Sequence, residues 1–564
     1  MYTAMAAWRC GASVTLYAPR PDPIPDPLQP VARNLTWLGP SIHVDDLARF
    51  EISYADGKTT YVRAHFGAEH SLTTAQLPDD LSDFDFVHLV PLGDISKQRS
   101  LMLACRDRGA QRISAGTALD LIDERPDDAR TMLRESDVLF MNKEEAVRLF
   151  GSLNGVRAQP GQTIFVTRGA NGATVVQGKA AISLSGVPAS VVDPTGAGDT
   201  FCGATLFGLA SGKQPVMAAR HAMPLSARMI EQTGPAVLCD PSPPPEPEPD
   251  ARVRINPARI AAVAELIAGI EHFAPFPFTG PDLPPPEHPA AIDYFFTTTL
   301  QQFGFWTAAG DRYERPLIAG IDGAERKGAF YLFRAYLRWL ENDPERLTPG
   351  GQAELTEADL RSVLRADDGT DPMPAMDLHL ALARQYGRDM LALKLTPQAL
   401  LERANLSPAP LQALLRQLDH VGGFKEDPLR KKSVLLGMIL QQRPEAFLAG
   451  GGEDLPPVVD YHVMRSCLRI GLIDVTDKYL ANKLIARQLL RDDEEWAVRL
   501  AAHGAVEQLV RQSGKTMGAV DWFFFQARKR CPEMSTPRCE DCVVDAACTH
   551  RKDLFQPVMR TSFY

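Results

Sequence analysis

The run Asp193-Pro194-Thr195-Gly196-Ala197-Gly198-Asp199-Thr200, with the small apolar stretch 201–206 behind it, constrains this chain more than any other segment. Three small residues in succession let consecutive backbone N–H groups converge on an anion. The stretch that follows predicts a helix presenting its N-terminus at the same point. Asp199 then sits beside a transferred phosphoryl group, where a carboxylate can accept the proton of an attacking hydroxyl while the loop amides stabilise developing charge. A tight turn before a helix is the plainer reading of these residues, and further pieces upstream weigh against it.

Those pieces are Asn142-Lys143-Glu144-Glu145, after the apolar strand 138–140, and Thr163-Ile164-Phe165-Val166-Thr167-Arg168-Gly169-Ala170-Asn171-Gly172, a second strand running into a glycine turn. With the loop, they resemble the PfkB, or ribokinase-like, carbohydrate and nucleoside kinases over about residues 1–238. The resemblance implies a three-layer α/β/α domain that uses ATP and Mg2+. It implies Asp199 as the base and Gly196, Ala197 and Gly198 as the anion hole, with Asp193 and Thr195 in the same phosphate-binding loop. Asn142 and Glu145 would organise magnesium and phosphates, and Thr167 and Gly169 would lie near the nucleotide. The family opens with a strand, a substrate-gripping Asp and a Gly-Gly pair before the helix that residues 1–8 continue, so the kinase half is expected to be N-terminally truncated.

A length of 564 residues exceeds what one core usually organises. Ser242-Pro243-Pro244-Pro245-Glu246-Pro247-Glu248-Pro249 is proline-stiffened and acidic, and reads as a linker. A second Pro-rich stretch, 275–289, follows one predicted helix at 257–273. The expected organisation is a kinase domain at 1–238, a linker with one helix at 239–289, an all-α domain at 290–530 and a four-cysteine tail at 531–564. No stretch approaches the roughly 20 apolar residues of a membrane span, and the first residues lack the basic start and apolar core of a signal peptide. Nine cysteines, four of them crowded at the C-terminus, fit a reducing compartment and a metal site. A cytoplasmic protein is expected, acting on small molecules without a membrane. The formal charge of -10 argues against a surface built to coat nucleic acid. The sequence leaves the oligomeric state open.

Cys531, Cys539, Cys542 and Cys548 have seven, two and five residues between them. Four thiolates can close a metal site completely, which makes a structural metal the expectation and zinc one occupant. The spacing resembles the [4Fe-4S] loop of endonuclease III-type DNA glycosylases, where the first gap is one residue shorter, and the resemblance implies an iron-sulfur cluster here.

Between linker and cysteines, the segments 330–340, 378–393, 434–440 and 496–509 show i, i+3, i+4 apolar spacing. An all-helical domain ending in such a cysteine loop resembles the helix-hairpin-helix glycosylases, whose chemistry needs a carboxylate near the anomeric carbon. Lys431-Lys432 opens one apolar helix, and Pro457-Val458-Val459-Asp460-Tyr461-His462 introduces another. Asp460 is the candidate to stabilise an oxocarbenium-like sugar or activate water; the same residue also suits a helix cap. For Lys431 and Lys432, a solvated helix start or a phosphate contact is favoured over Schiff-base chemistry.

Several segments, in order, resemble the queuosine 5'-phosphate N-glycosylase family over about residues 290–527. They are Asp293-Tyr294-Phe295-Phe296 through Phe303-Gly304-Phe305-Trp306, then Lys327-Gly328-Ala329-Phe330-Tyr331, then residues 359–367 ending in Ala366-Asp367, then Asp460-Tyr461, then Val520-Asp521-Trp522-Phe523-Phe524. The chain departs from the family where His462 replaces the usual Arg, at Thr298 and Gln302, and in the cysteine tail. The resemblance implies that Asp367 hydrogen-bonds the base and that Phe305, Trp306 or Tyr461 stacks on it. For Trp306 core packing, and for Asp367 an exposed cap beside Gly369, are equally good accounts. Lys327, Lys431, Lys432 and Arg430 are candidate cations for a 5'-phosphate.

Together the halves imply a salvage enzyme. The first would phosphorylate the 5'-hydroxyl of a modified nucleoside, queuosine or a 7-deazaguanine relative, with ATP, and the second would hydrolyse the N-glycosidic bond of the product. The rival is a DNA-repair glycosylase fused to a degenerate PfkB-like domain, against which stands the lack of a Leu-Pro-Gly-x-Gly hairpin before Lys431, where only Val421-Gly422-Gly423 is present. A kinase half that only binds nucleoside and regulates its neighbour is a third reading.

Overall fold

Apolar residues occupy both faces of the central strands in the first part of the chain, the pattern of a sheet covered on each side. The computed structural model describes residues 1–55, 58–240, 242–271, 273–310, 312–450 and 455–564. Its main sheet has six strands, ordered β6-β5-β4-β3-β2-β1: β1 (Val87–Leu89), β2 (Ile113–Gly116), β3 (Val138–Asn142), β4 (Thr163–Thr167), β5 (Ala173–Gln177) and β6 (Ala180–Leu184). The first four run parallel, and the β4–β5 and β5–β6 pairings are antiparallel.

Leu139, Met141, Ile164 and Val166 share a core with helices that include α2 (Ile95–Asp107), α3 (Pro126–Glu135) and α4 (Lys143–Phe150). Val138, Phe140 and Phe165 pack instead with α5 (Ala197–Ala210) and α6 (Pro215–Met229). Strand alternation thus builds the two outer layers of an α/β/α sandwich. Helix α1 (Tyr2–Arg9) crosses α5 at Gly203, where an added Cβ would come within 2.0 Å of the Thr3 carbonyl oxygen.

By its contacts the chain divides into two units, Met1–Pro247 and Glu248–Tyr564. The second is carried by helices, among them α7 (Pro257–Ala268), α8 (Ala291–Leu300), α9 (Ala329–Asn342), α10 (Met376–Ala392), α11 (Lys431–Gln442), α12 (Tyr461–Ile470), α13 (Asp492–Ser513) and α14 (Met517–Ala527). Three of the four apolar segments expected to be helical lie inside one of these, and the fourth, 378–393, runs one residue past the end of α10.

The all-α expectation needs correction, because strands also occur. β7 (Val253–Ile255) pairs with β12 (Ile473–Val475), and two hairpins, β8 (Trp306–Ala309) with β9 (Arg312–Pro316) and β10 (Ile318–Ile321) with β11 (Ala324–Lys327), precede α9. The second hairpin turns at Asp322-Gly323, both with positive φ (49° and 77°), the pair that a two-residue hairpin turn favours.

Residues 248–289 are not a free linker either. Val253, Ile260, Val263 and Ile267 are buried in the same core as α12 and α13, and α7 ends at Ala268 rather than at 273. Leu554, Phe555, Val558 and Tyr564 from the cysteine tail enter that core too. Among the described residues, no helix is long and apolar enough to cross a membrane.

Candidate functional site

In the first unit the loop after residue 192 is held by its own side chains. Asp193 Oδ1 accepts from the Thr195 backbone N–H (3.0 Å) and hydroxyl (2.6 Å), and these hydrogen bonds hold the carboxyl below its ordinary range. Gly196 then takes a left-handed conformation (φ 78°) and starts α5, where an added Cβ would lie 2.6 Å from the Tyr2 ring. Ala197, Gly198 and Asp199 form the first turn of that helix, so their amides and the helix dipole face one point.

Asp199 accepts from the Thr3 hydroxyl at 3.3 Å. Its side chain remains open to solvent on one side, while the surrounding walls desolvate it and raise its carboxyl pKa. Asn142 caps α4, and Glu145 closes the capping box. Glu145 accepts from the Asn142 backbone (2.9 Å) and amide (2.7 Å) and from Thr117 (2.9 Å). Burial pushes its carboxyl up to about 7 against those hydrogen bonds, and the charges of Glu144 and Asp199 push the same way.

A divalent cation would relieve the charge that Glu144 and Asp199 place on Glu145, so these residues fit Mg2+. Thr167 pairs in register with Asn142 at the carboxyl ends of parallel strands, the edge where open α/β sheets bind ligands. Gly169 (φ 57°) begins the turn that follows.

In the second unit, one cleft gathers residues from distant segments. Asp460 is the N-cap of α12: its Oδ1 accepts from the His462 and Val463 amides at 2.8 and 3.0 Å, so capping and cleft-facing roles coexist. Lys431, at the start of α11, lines the same cleft and donates to Gln302 O at 3.4 Å. Burial lowers the Lys431 pKa, and the charges of Asp460 and Asp521 oppose this. Asp521, on α14, is pushed up to about 7 by desolvation and by Asp460, with Lys431 acting against.

An aromatic column lines the same cleft. Phe276 stacks on Trp522 (4.4 Å, 13°), Trp522 on Phe525 (5.4 Å, 19°), and the Arg528 guanidinium lies 3.7 Å from the Phe525 ring centre. Phe305, Tyr461, Lys327 and Arg528 line the other end.

Four expected residues do not line the cleft, Asp367, Trp306, Lys432 and Arg430. Asp367 accepts from the Asp322 and Gly323 amides at 2.9 and 3.0 Å, so the β10–β11 turn uses its carboxylate. Trp306 does not line the cleft that Phe305 lines, and stacks in the core on Tyr313 (5.4 Å, 8°). Lys432 donates to Leu300 O at 3.0 Å on a different side of α11 from Lys431, because consecutive helix positions do not share a face.

Neither lysine is solvated, with 4% and 1% exposure for Lys431 and Lys432. Arg430 is committed to Asp419 at the buried start of the helix. Phe276, Gln302, Trp522 and Arg528 were absent from the expected site. Phe276 hid in a Pro-rich stretch, whereas the i, i+3 spacing of Trp522 and Phe525 was a readable signal.

Burial raises the Cys548 pKa, and the thiols of Cys542, Cys531 and Cys539 act in the same direction. Among the described residues, the one triad of metal-ligand type converging within 4.8 Å is Cys539, Asp545 and His550, so no three of the thiols lie that close together. Tetrahedral zinc with bonds of about 2.3 Å draws its sulfurs to roughly 3.8 Å from one another. An iron-sulfur cluster also takes four thiolates, so the donor set itself suits either occupant.

Residues 49–242 match the pfkB family carbohydrate kinase model. Over 200 residues the chain is 24% identical to a cytidine kinase of Thermococcus kodakarensis, covering 33% of this chain and 69% of that protein. The nucleoside kinase of Burkholderia thailandensis, solved with inosine, is 20% identical, with 41% of this chain and 80% of that chain covered and a TM-score of 0.35. An adenosine kinase from Sinorhizobium meliloti is 21% identical, with 43% and 78% covered and a TM-score of 0.36. The N-terminal region is thus a PfkB, ribokinase-like carbohydrate kinase.

Proposed function

We propose that the chain processes one nucleoside in two steps, phosphorylating its 5'-hydroxyl in the first unit and hydrolysing the N-glycosidic bond of the 5'-monophosphate in the second. The likeness to a cytidine kinase supports a nucleoside acceptor. In the first step Asp199 takes the hydroxyl proton, and the amides at the start of α5 receive the phosphoryl oxygens. Bound Mg2+ would neutralise phosphate charge, held through Asn142 and Glu145.

The second step rests on one observation: Asp460, Lys431 and Asp521 line one cleft with the Phe276, Trp522 and Phe525 rings. A flat base fits against the aromatic column. Asp521, still protonated near neutrality, donates its proton to the base as the C–N electron pair leaves with it. Asp460 stabilises the cationic sugar and takes a proton from the water that adds at C1'. Arg528, Lys431 and Lys327 supply a cationic end for the 5'-phosphate, whose binding orients the sugar. The base is queuosine's or another 7-deazaguanine, on the strength of the family resemblance, and the four thiolates hold a [4Fe-4S] cluster, with zinc the alternative.

The test incubates the protein with a nucleoside panel and Mg-ATP, following nucleotide, free base and ribose 5-phosphate. Asp199→Asn should block consumption of nucleoside yet cleave a supplied 5'-monophosphate, whereas Asp460→Asn should accumulate the monophosphate. Normal base release from unphosphorylated nucleoside by Asp199→Asn would overturn the sequence of steps.

A further inference from the structure

The segment that carries the cysteines also builds the cleft. Glu533 stands two residues after Cys531 and is 3% exposed. Its carboxylate lies 2.7 Å from Lys327 Nζ, 3.4 Å from His462 Nδ1 and 3.7 Å from Arg465 Nη2. Lys327 and His462 line the cleft, and His462 and Arg465 belong to α12, the helix that Asp460 caps. Farther along the same helix face, Arg469 donates to Cys531 Sγ at 3.3 Å and to Pro532 O at 2.8 Å. Arg465 also donates to Gln556 Oε1 at 3.0 Å, beyond the last cysteine. Helix α12 is therefore fastened along its length to the cysteine segment, while its first turn presents Asp460 to the cleft.

Glu533 Oε1 makes no hydrogen bond although it is buried. Charge attraction from the cations around it holds it in place, so moving it would release Lys327 and slacken the α12 face together. Three cations grip a phosphate well only at fixed positions, because holding long side chains in place costs conformational entropy that the ligand must otherwise supply.

We propose that Glu533 is a positioning residue for phosphorylated ligands: it fixes Lys327 and α12, so the cysteine segment sets how tightly the cleft holds a sugar phosphate. The inference rests on the cleft being a nucleotide glycosidase site. It makes the loop an electrostatic part of that site, and it ties ligand affinity to the integrity of the four-thiol centre.

The sign of one substitution separates this from simple charge balance. A carboxylate that only tempers the positive end would, once removed, tighten phosphate binding; one that positions the cations weakens it when lost. Calorimetric titration of the full chain with ribose 5-phosphate measures this. Glu533→Gln and Cys539→Ser should each weaken binding roughly tenfold. Glu533→Gln should add nothing in a Lys327→Met background, and Glu533→Asp should restore part of the affinity. Unchanged or tighter binding by Glu533→Gln overturns the proposal. If that variant does not fold, Lys327→Met probes the same contact from its other side, and affinity equal to wild type overturns the proposal equally. Lys431→Met tests the underlying reading. If it leaves binding intact, sugar phosphate does not bind in the cleft and both conclusions fall; if it abolishes binding while Glu533→Gln does not, only this inference falls.

Discussion

The two candidate sites are made differently. In the first unit, backbone does most of the work: one loop, one left-handed glycine and one helix start bring amides and Asp199 together within a few residues of sequence. In the second, side chains do it, drawn from residues 276, 302, 431, 460, 521 and 528, with almost no local sequence connecting them. A backbone-built site depends on which residues the chain can turn at. A side-chain-built site depends on buried charges that hold its helices in register.

The largest effect should come from the second kind of dependence. Arg499 donates to both oxygens of Asp427 at 2.8 and 2.7 Å and to Val459 O at 3.3 Å, while Asp427 accepts from the Lys431 amide at 2.8 Å. One fully buried pair thus anchors the backbone on both sides of the cleft. Arg499→Met should destabilise the second unit by about 3–5 kcal/mol, because it leaves Asp427 buried and unpaired. Urea unfolding followed by tryptophan fluorescence checks this, and a change below about 1 kcal/mol would remove the contrast between the sites.

Next in size are opposite pH slopes. In the proposed hydrolysis Asp521 must carry its proton to act as an acid, so single-turnover base release should fall about tenfold per unit above pH 7. Glu145 must lose its proton to help hold a cation, so Mg2+ affinity in the first unit should fall about tenfold per unit below pH 7. Parallel slopes would show that the two carboxyls do not have these separate tasks.

The smallest effects concern two glycines only two residues apart. Gly196→Ala must adopt a φ of 78° and displace the Tyr2 ring, at a cost of about 1–2 kcal/mol in thermal stability and weaker nucleotide binding. Gly198→Ala, with nothing within 4 Å of its added Cβ, should stay within about 0.5 kcal/mol. Equal effects would mean that the loop is not set by its turn geometry.

The same difference explains what the sequence could show. The phosphate loop was legible because its determinants are contiguous, and the register of Asn142 with Thr167 follows from two strands that both looked like strands. Asp460 was legible as the start of a helix. Its companion Asp521 lay in a recognisable segment, but its role depends on proximity to Asp460 and Lys431, which no spacing encodes. The exclusion of Trp306, Lys432 and Asp367 follows from core packing, from helix phase and from a turn whose amides needed an acceptor. Trp306 and Asp367 could not be assigned until the hairpins at 306–327 were placed. Phe276 was hidden by composition, since prolines around it suggested a tether where the chain in fact supplies one wall of the cleft.

That wall bears on how the chain can be dissected. A fragment begun at residue 290, where composition alone would place the second domain, would lack Phe276, the strand that pairs with Ile473–Val475 and the apolar face of α7. It would expose the α12–α13 core to water and leave the edge of Ile473–Val475 without a partner, an invitation to self-association. A separately expressed second unit has to begin at or before residue 248, with the Pro-rich stretch that carries Phe276 retained.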